Sequence, residues 1–263
     1  MNVLNTKENI LKRKPGGQNM KSYIIRIELE TSEPLIWRKV VMPAGATFNM
    51  LHDIIQQTSN FQSGYPYEPY HLFEFDLPEE GIRVTNDEQA YEEHQYYKKN
   101  KKLFVERLKK ADPKHKRFEE NYQKRLATIV RQPTRIKIDE YIEKHGQLIY
   151  RYDFGDDWKF RVVLEEIVND YHFGFPTLLA GAETAPPEDV GGLPGFYEFL
   201  KIYRDEQHPE HEEIKVWAAG MYFKEYDPER INEFLKSRMY KKTEWDKIRH
   251  ENYDVIEDKY RKA

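Results

Sequence analysis

The sequence predicts an α+β fold, a single domain in which a curved antiparallel or mixed sheet is packed by helices and carries an inserted helical hairpin. Three observations lead there. Segments of two-residue hydrophobic alternation recur along the chain; runs with apolar residues at helical spacing separate them; and one long polar stretch, residues 86–131, has few β-branched residues.

Residues 1–20 hold a short basic run and then Pro15, Gly16 and Gly17, and read as a flexible leader. Tyr23, Ile25, Ile27 and Leu29 alternate with Arg26, Glu28 and Glu30, so the first strand falls near 22–30; a second, near 35–42, follows Pro34. Thr47 can cap a helix over 47–58, where Phe48, Leu51, Ile54 and Ile55 recur at helical spacing. Alternation resumes near 70–76 in YHLFEF. After the insert, QLIYRYDFGDDWKFRVVLEEIV alternates on both sides of Gly155 and predicts a hairpin of strands 148–154 and 158–167. A Gly- and Pro-rich stretch follows Tyr171, and the chain becomes helical from Phe196. Asp227-Pro228-Glu229 has the order of a capped helix start. The domain spans 21–240, and residues 241–263 form a charged C-terminal helix or tail.

Composition narrows the function classes. A net charge of −4 argues against a generally basic nucleic-acid binder, so any such contact needs a local patch. The chain has no cysteine, which excludes disulfide staples, thiolate zinc sites and a cysteine nucleophile. No window holds 18 consecutive apolar residues and the N-terminus lacks a signal-peptide pattern, which predicts a soluble, cytoplasmic protein. Charge is uneven: residues 86–131 carry 13 Lys and Arg against 8 Asp and Glu, a net of +5, leaving −9 for the rest.

Tyr152–Trp158 reads YDFGDDW, Pro186–Gly192 reads PPEDVGG with GFYEFL just after, and the opening strands read IIRIELETSEPLIWRKVVMP. With YHLFEF at Tyr70–Phe75 and HPEHEE at His208–Glu213, these segments resemble the plasmid pRiA4b ORF-3-like family over roughly residues 21–85 and 134–238. The resemblance implies a link to plasmids or mobile elements and no established reaction. Many relatives have a cysteine before the LAG stretch and another before the paired prolines, where this chain has Leu178 and Ala185; the basic insert is also longer than the family norm.

The hairpin and the PPEDVGG loop supply the candidate ligand-binding residues: Asp153, Asp156, Asp157, Trp158, Glu188 and Asp189, joined by His71. Asp153, Asp156 and Asp157 offer hard oxygen donors from one loop, although without EF-hand spacing. The alternative is turn chemistry beside Gly155, with Trp158 as a core anchor. By strand parity Asp153 faces with Arg151 and Ile149, opposite Tyr152. Prolines and glycines make PPEDVGG rigid, so Glu188 and Asp189 are held for a ligand, or one of them caps the following helix or pairs with an arginine such as Arg38. His52, His208 and His211 lack metal-protease spacing and read as structural.

The insert reads as a solvated helical hairpin or as an electrostatic arm for nucleic acid, with Lys98, Lys99, Lys101, Lys102, Lys109, Lys110, Lys114, Lys116 and Arg117 on phosphates. The leading expectation is a non-enzymatic interaction module without a cofactor. Its partner is a protein or, through the basic insert, a nucleic acid, and no membrane is involved. The alternative is a metal-dependent nuclease or phosphodiesterase using a divalent cation with Asp153, Asp157, Glu188 and Lys159, since Asp157-Trp158-Lys159 fits the acidic-x-Lys element of such enzymes.

Overall fold

The computed structural model describes residues 20–61, 71–110, 116–171 and 175–237. The leader through residue 19, Lys114 and the tail from 238 lie outside the described residues.

Eight strands form one mixed sheet: β1 (Met20–Leu29), β2 (Trp37–Pro43), β3 (Phe73–Leu77), β4 (Ile82–Thr85), β5 (Ile129–Arg131), β6 (Gln147–Tyr152), β7 (Trp158–Tyr171) and β8 (Thr177–Ala182), in the order β5-β4-β3-β6-β7-β1-β2-β8. Every neighbouring pair is antiparallel except β4 and β5. The five strands expected from alternation are β1, β2, β3, β6 and β7. Three others carry no legible period. β4 and β5 are too short, and β8 lies in a Gly-rich stretch that reads as a loop. At Gly181 a Cβ would lie 2.6 Å from the Tyr226 hydroxyl and 2.9 Å from the Trp37 carbonyl, so this glycine answers to close packing inside a strand.

The helices are α1 (Phe48–Thr58), α2 (Glu88–Lys99), α3 (Lys101–Lys109), α4 (Lys116–Ala127), α5 (Asp139–His145), α6 (Gly192–Arg204), α7 (His211–Gly220) and α8 (Pro228–Ser237). No helix among the described residues is long and apolar enough to cross a membrane.

One face of the sheet is buried. Tyr23, Ile25 and Ile27 of β1, Val40 and Met42 of β2, Phe75 of β3 and Tyr150 of β6 form a single core with Phe48, Leu51 and Ile54 of α1, Ile142 of α5, Phe196 and Phe199 of α6, Ala218 of α7 and Leu235 of α8. Each fully buried aliphatic or phenyl side chain there contributes about 1.5–3 kcal/mol. The opposite face carries a small apolar cluster of Ile24, Val41, Val168 and Tyr171 and is otherwise charged, with Glu28 paired to Arg26 on its own strand and to Arg161 across strands, Lys39 to Glu165, and Glu74 to Arg83 and Arg151. Such exposed pairs set register more than stability.

The polar groups on the core face of α1 and β2 are matched. Thr47 caps α1 by accepting from Met50 N at 3.3 Å. The His52 ring stacks on Phe73, centroids 3.8 Å apart, and its Nδ1 lies 2.7 Å from the Tyr150 hydroxyl, to which Gln56 Nε2 also donates at 3.1 Å. His52 is therefore structural. Arg38, fully in the core, donates to Thr58 O at the end of α1, to Trp37 O and Ala182 O, and to Glu183 O, all within 2.8 Å. Burial pulls its pKa down to about 10, so it stays charged at neutral pH.

The insert leaves the sheet edge at β4 and returns through β5. Asn100 divides the first arm of the expected hairpin into α2 and α3, its amide bonding back to Tyr96 O. Tyr97, Phe104 and Tyr122 give the insert a small aromatic core, with 4.7 Å between the first two rings.

Two expectations follow. Gly181→Ala forces the Tyr226 ring or the β2 backbone to move and should cost about 1–3 kcal/mol, read as a lower denaturant midpoint at unchanged slope. Glu143 is held below its ordinary pKa by Lys21, which donates at 2.6 Å, and then by the Tyr23 hydroxyl. Its stabilisation is therefore present above the ordinary carboxylate range and lost as pH falls through the depressed value; Glu143→Gln should flatten the acid limb of the stability profile.

Candidate functional site

The β6–β7 hairpin pairs as far as Tyr152 with Trp158, leaving residues 153–157 as its tip. Asp157 N donates to Asp153 O at 2.7 Å, and both aspartates adopt left-handed backbone conformations, φ 50° and 53°, which Asp tolerates better than most residues. Gly155 is not in that region. Its N–H donates to Asp153 Oδ1 at 3.0 Å, and a Cβ there would sit 3.2 Å from the same oxygen. Strand parity thus ends at Tyr152. The left-handed residue turns the Asp153 carboxylate inward, where it is buried, instead of setting it beside Arg151 and Ile149.

The PPEDVGG loop docks on this tip. Asp189, Gly191 and Gly192 all have positive φ, of 54°, 85° and 68°. Gly191 N donates to Asp156 Oδ2 at 3.2 Å, and a Cβ on Gly192 would lie 3.1 Å from Asp156 O. At Gly195 a Cβ would fall 2.0 Å from Val190 O, so the loop closes onto α6 only with glycine. Glu188 neither caps α6, whose N-cap Gly191 has no side-chain bond, nor meets Arg38, which serves carbonyls. Its Oε1 accepts from the buried Tyr152 hydroxyl at 2.7 Å.

His71 completes the cluster from the segment entering β3. Its ring packs edge-on against Tyr152, centroids 5.7 Å apart. Nδ1 lies 3.5 Å from Asp153 Oδ1, and Nε2 lies 3.6 Å from Asp189 Oδ1 and 3.8 Å from Glu188 Oε2. One donor atom each from His71, Asp153 and Asp189 fall within 4.8 Å of one another. Metal–ligand bonds of about 2.0–2.3 Å put two ligands of one ion no more than about 4.6 Å apart, so these donors have to draw closer together to share an ion. An imidazole with carboxylates suits Zn²⁺ or Mn²⁺. Asp189 is more than half exposed and Asp153 buried, which leaves the open side of the cluster toward Asp189.

The other candidates lie apart. The Asp157 carboxylate is 2.6 Å from Arg151 Nη2 and Lys159 Nζ is 2.8 Å from Glu30, both on the charged face. Asp156 holds the loop, and Trp158 is a core anchor packed near Phe61. Lys98, Lys99, Lys101, Lys102, Lys109 and Lys110 are exposed on α2 and α3 or their ends; Lys116 and Arg117 open α4. His208 precedes α7 and His211 opens it, its Nδ1 3.1 Å from Ile202 O. The Tyr152 hydroxyl is the participant that residue-by-residue reading missed; its only signal was a tyrosine on the core parity beside a turn.

Comparisons with known proteins place the chain. It is 24% identical over 208 residues to the uncharacterized protein y4hQ of Sinorhizobium fredii, covering 79% of this chain and 84% of that one. A crystal structure of a protein of unknown function from Methanosarcina mazei Go1 superposes with a TM-score of 0.54 at 25% identity, over 80% of this chain and 97% of that one. The model of the family described as plasmid pRiA4b ORF-3-like protein matches residues 21–234, nearly the whole described structure, and the chain belongs to that family.

Proposed function

We propose that this protein is a non-enzymatic binding module whose ligand-facing site is the cluster of His71, Asp153, Glu188 and Asp189, and that the site takes a divalent cation of the Zn²⁺ or Mn²⁺ type. The observation that carries this reading is the convergence of an imidazole and two carboxylates from three separate chain segments within 4.8 Å. Tyr152 acts as an orienting residue, fixing Glu188 beside them. An ion held by these groups keeps coordination positions open toward Asp189, where an anionic group of a partner completes the shell. The set read for hydrolysis is divided, because Asp157 and Lys159 are engaged by Arg151 and Glu30; this favours binding over nuclease chemistry.

The full chain, stripped with EDTA and titrated with Mn²⁺ or Zn²⁺, should melt about 5–10 °C higher at a hundredfold excess over Kd. Asp153→Asn and His71→Gln should each abolish the shift, and Tyr152→Phe should weaken it. No shift in the parent chain, or an equal shift in both variants, refutes the cation site.

One observation favours a second contact. A cleft of about 180 Å³ between α2, α4 and β5 is lined by Lys98, Lys101, Arg125 and Arg131 around His94. His94 is held below its ordinary pKa by burial and then by Arg131 and Lys98. That local field supports phosphate binding by the insert. Affinity for a 20-base-pair duplex should fall with salt, and Lys98→Gln and Lys101→Gln should each lower the log–log slope by about 1. A slope unchanged in the double variant overturns this contact.

A further inference from the structure

A second cavity lies away from the cluster, between the end of α1, residues 222–227 and α8. It encloses about 450 Å³, within the range of about 300–1,000 Å³ that small-molecule sites occupy. Its walls are apolar and aromatic, with Phe61, Tyr226, Ile231 and Phe234 among them. Three features of its polar groups call for a ligand.

First, its cations and acids are unequally engaged. Glu225 is paired with Arg204 at 3.2 Å, and Asp227 caps α8 by accepting from Glu229 N and Arg230 N at 3.0 and 3.1 Å. Among the described residues, Arg38, Lys224 and Arg230 meet no carboxylate within ion-pair distance, Glu183 acting on Arg38 only at longer range. The lining therefore presents positive charge.

Second, Arg38 is 4% exposed, lies over the Tyr226 ring at 4.3 Å and gives four of its five N–H groups to backbone carbonyls, which leaves one Nη2 hydrogen. Third, both amide atoms of Gln57 are buried and have no hydrogen-bond partner among the described residues. Arg38 alone is explained by the fold, since its carbonyls stabilise it. A buried amide with neither donor nor acceptor matched is not, because the fold gains nothing from desolvating it.

We propose that this cavity is a binding site for a small organic anion with a flat, apolar body, a carboxylate in the simplest case. Arg38, Arg230 and Lys224 supply its counter-charge, Gln57 hydrogen-bonds its polar end, and Phe61, Ile231 and Phe234 bury its body. The site is independent of the cation cluster, although Ala185 on its wall lies three residues before Glu188.

The test uses 2-naphthoate, the neutral 2-naphthamide and the cationic 2-naphthylmethylammonium, each titrated calorimetrically into the full chain in EDTA, so that the cation site is silent. Naphthoate should bind saturably and at least about tenfold tighter than the amide, with the ammonium weakest. Ile231→Trp fills the cavity and should remove binding of naphthoate and amide alike. The surface variant Arg230→Gln, which leaves the core intact, should narrow the anion's advantage severalfold without changing amide affinity, and Gln57→Leu should weaken naphthoate severalfold. Absence of saturable naphthoate binding, equal affinity for the three probes, or binding undiminished in Arg230→Gln and Gln57→Leu overturns the proposal.

Discussion

The Arg38 guanidinium is the interaction on which the layout around both proposed sites depends. It joins the last turn of α1, the β2 backbone and the segment leaving β8 through four carbonyls, each accepting within 2.8 Å. A cation at a helix C-terminus is favoured by the helix dipole, and backbone carbonyls supply the partners that a buried charge requires. The arrangement is demanding because the charge has no carboxylate in contact, so losing even one carbonyl exposes a large desolvation penalty. Gly181 fits this constraint: a Cβ there would lie 3.0 Å from Arg38 Cδ and displace the Tyr226 ring stacked on the guanidinium.

From those carbonyls the chain runs directly into the segment that carries Glu188 and Asp189. Thr184 Oγ1 accepts from Tyr226 N, Asn60 donates to Ala185 O, Pro187 bridges to Asn60, and Glu188 receives the Tyr152 hydroxyl. Residues 182–188 are thus pinned almost residue by residue, and the Asp189 that follows takes up its left-handed conformation at the end of a fixed strut. The cost of this order falls on the electrostatics of the cluster. Asp153 and Glu188 are both buried beside one imidazole, the first against its Nδ1 and the second against its Nε2, and a buried carboxylate is costly without a partner.

Much of this was legible in the sequence, for identifiable reasons. β1, β2, β6 and β7 alternate because one sheet face is core and the other a charged ladder, so the period of two is strong. β4, β5 and β8 were invisible because strands of three to six residues have too few repeats to show a period, and β8 also carries Gly181. The rigidity of PPEDVGG and its place beside the YDFGDDW hairpin were readable from Pro and Gly chemistry. The inward turn of Asp153 was not, because a single residue at φ 50° reverses the face that parity assigns, and nothing local distinguishes it from the solvent-facing Asp157 at φ 53°. The Asp153–His71–Glu188 meeting is likewise a long-range contact, fixed by the order β3-β6-β7 and the docking of a loop some 35 residues further on.

The same strut joins the two proposed sites, whose chemistry is unlike, to one scaffold. Phe61 lines the cavity beside α8 and also packs on Tyr152, ring centroids 5.0 Å apart, while the Tyr152 hydroxyl donates to Glu188 in the His71 cluster. The cavity and the cluster therefore meet opposite ends of one aromatic contact. Packed aromatic rings shift as units rather than deforming gradually, so a ligand that moves Phe61 must either leave Tyr152 in place or move Glu188 with it. With Asn60 and Pro187 bridging the strut to α1's end, the first course costs less, and the two sites are held near each other by structure while remaining separate in charge: positive in the cavity, negative in the cluster.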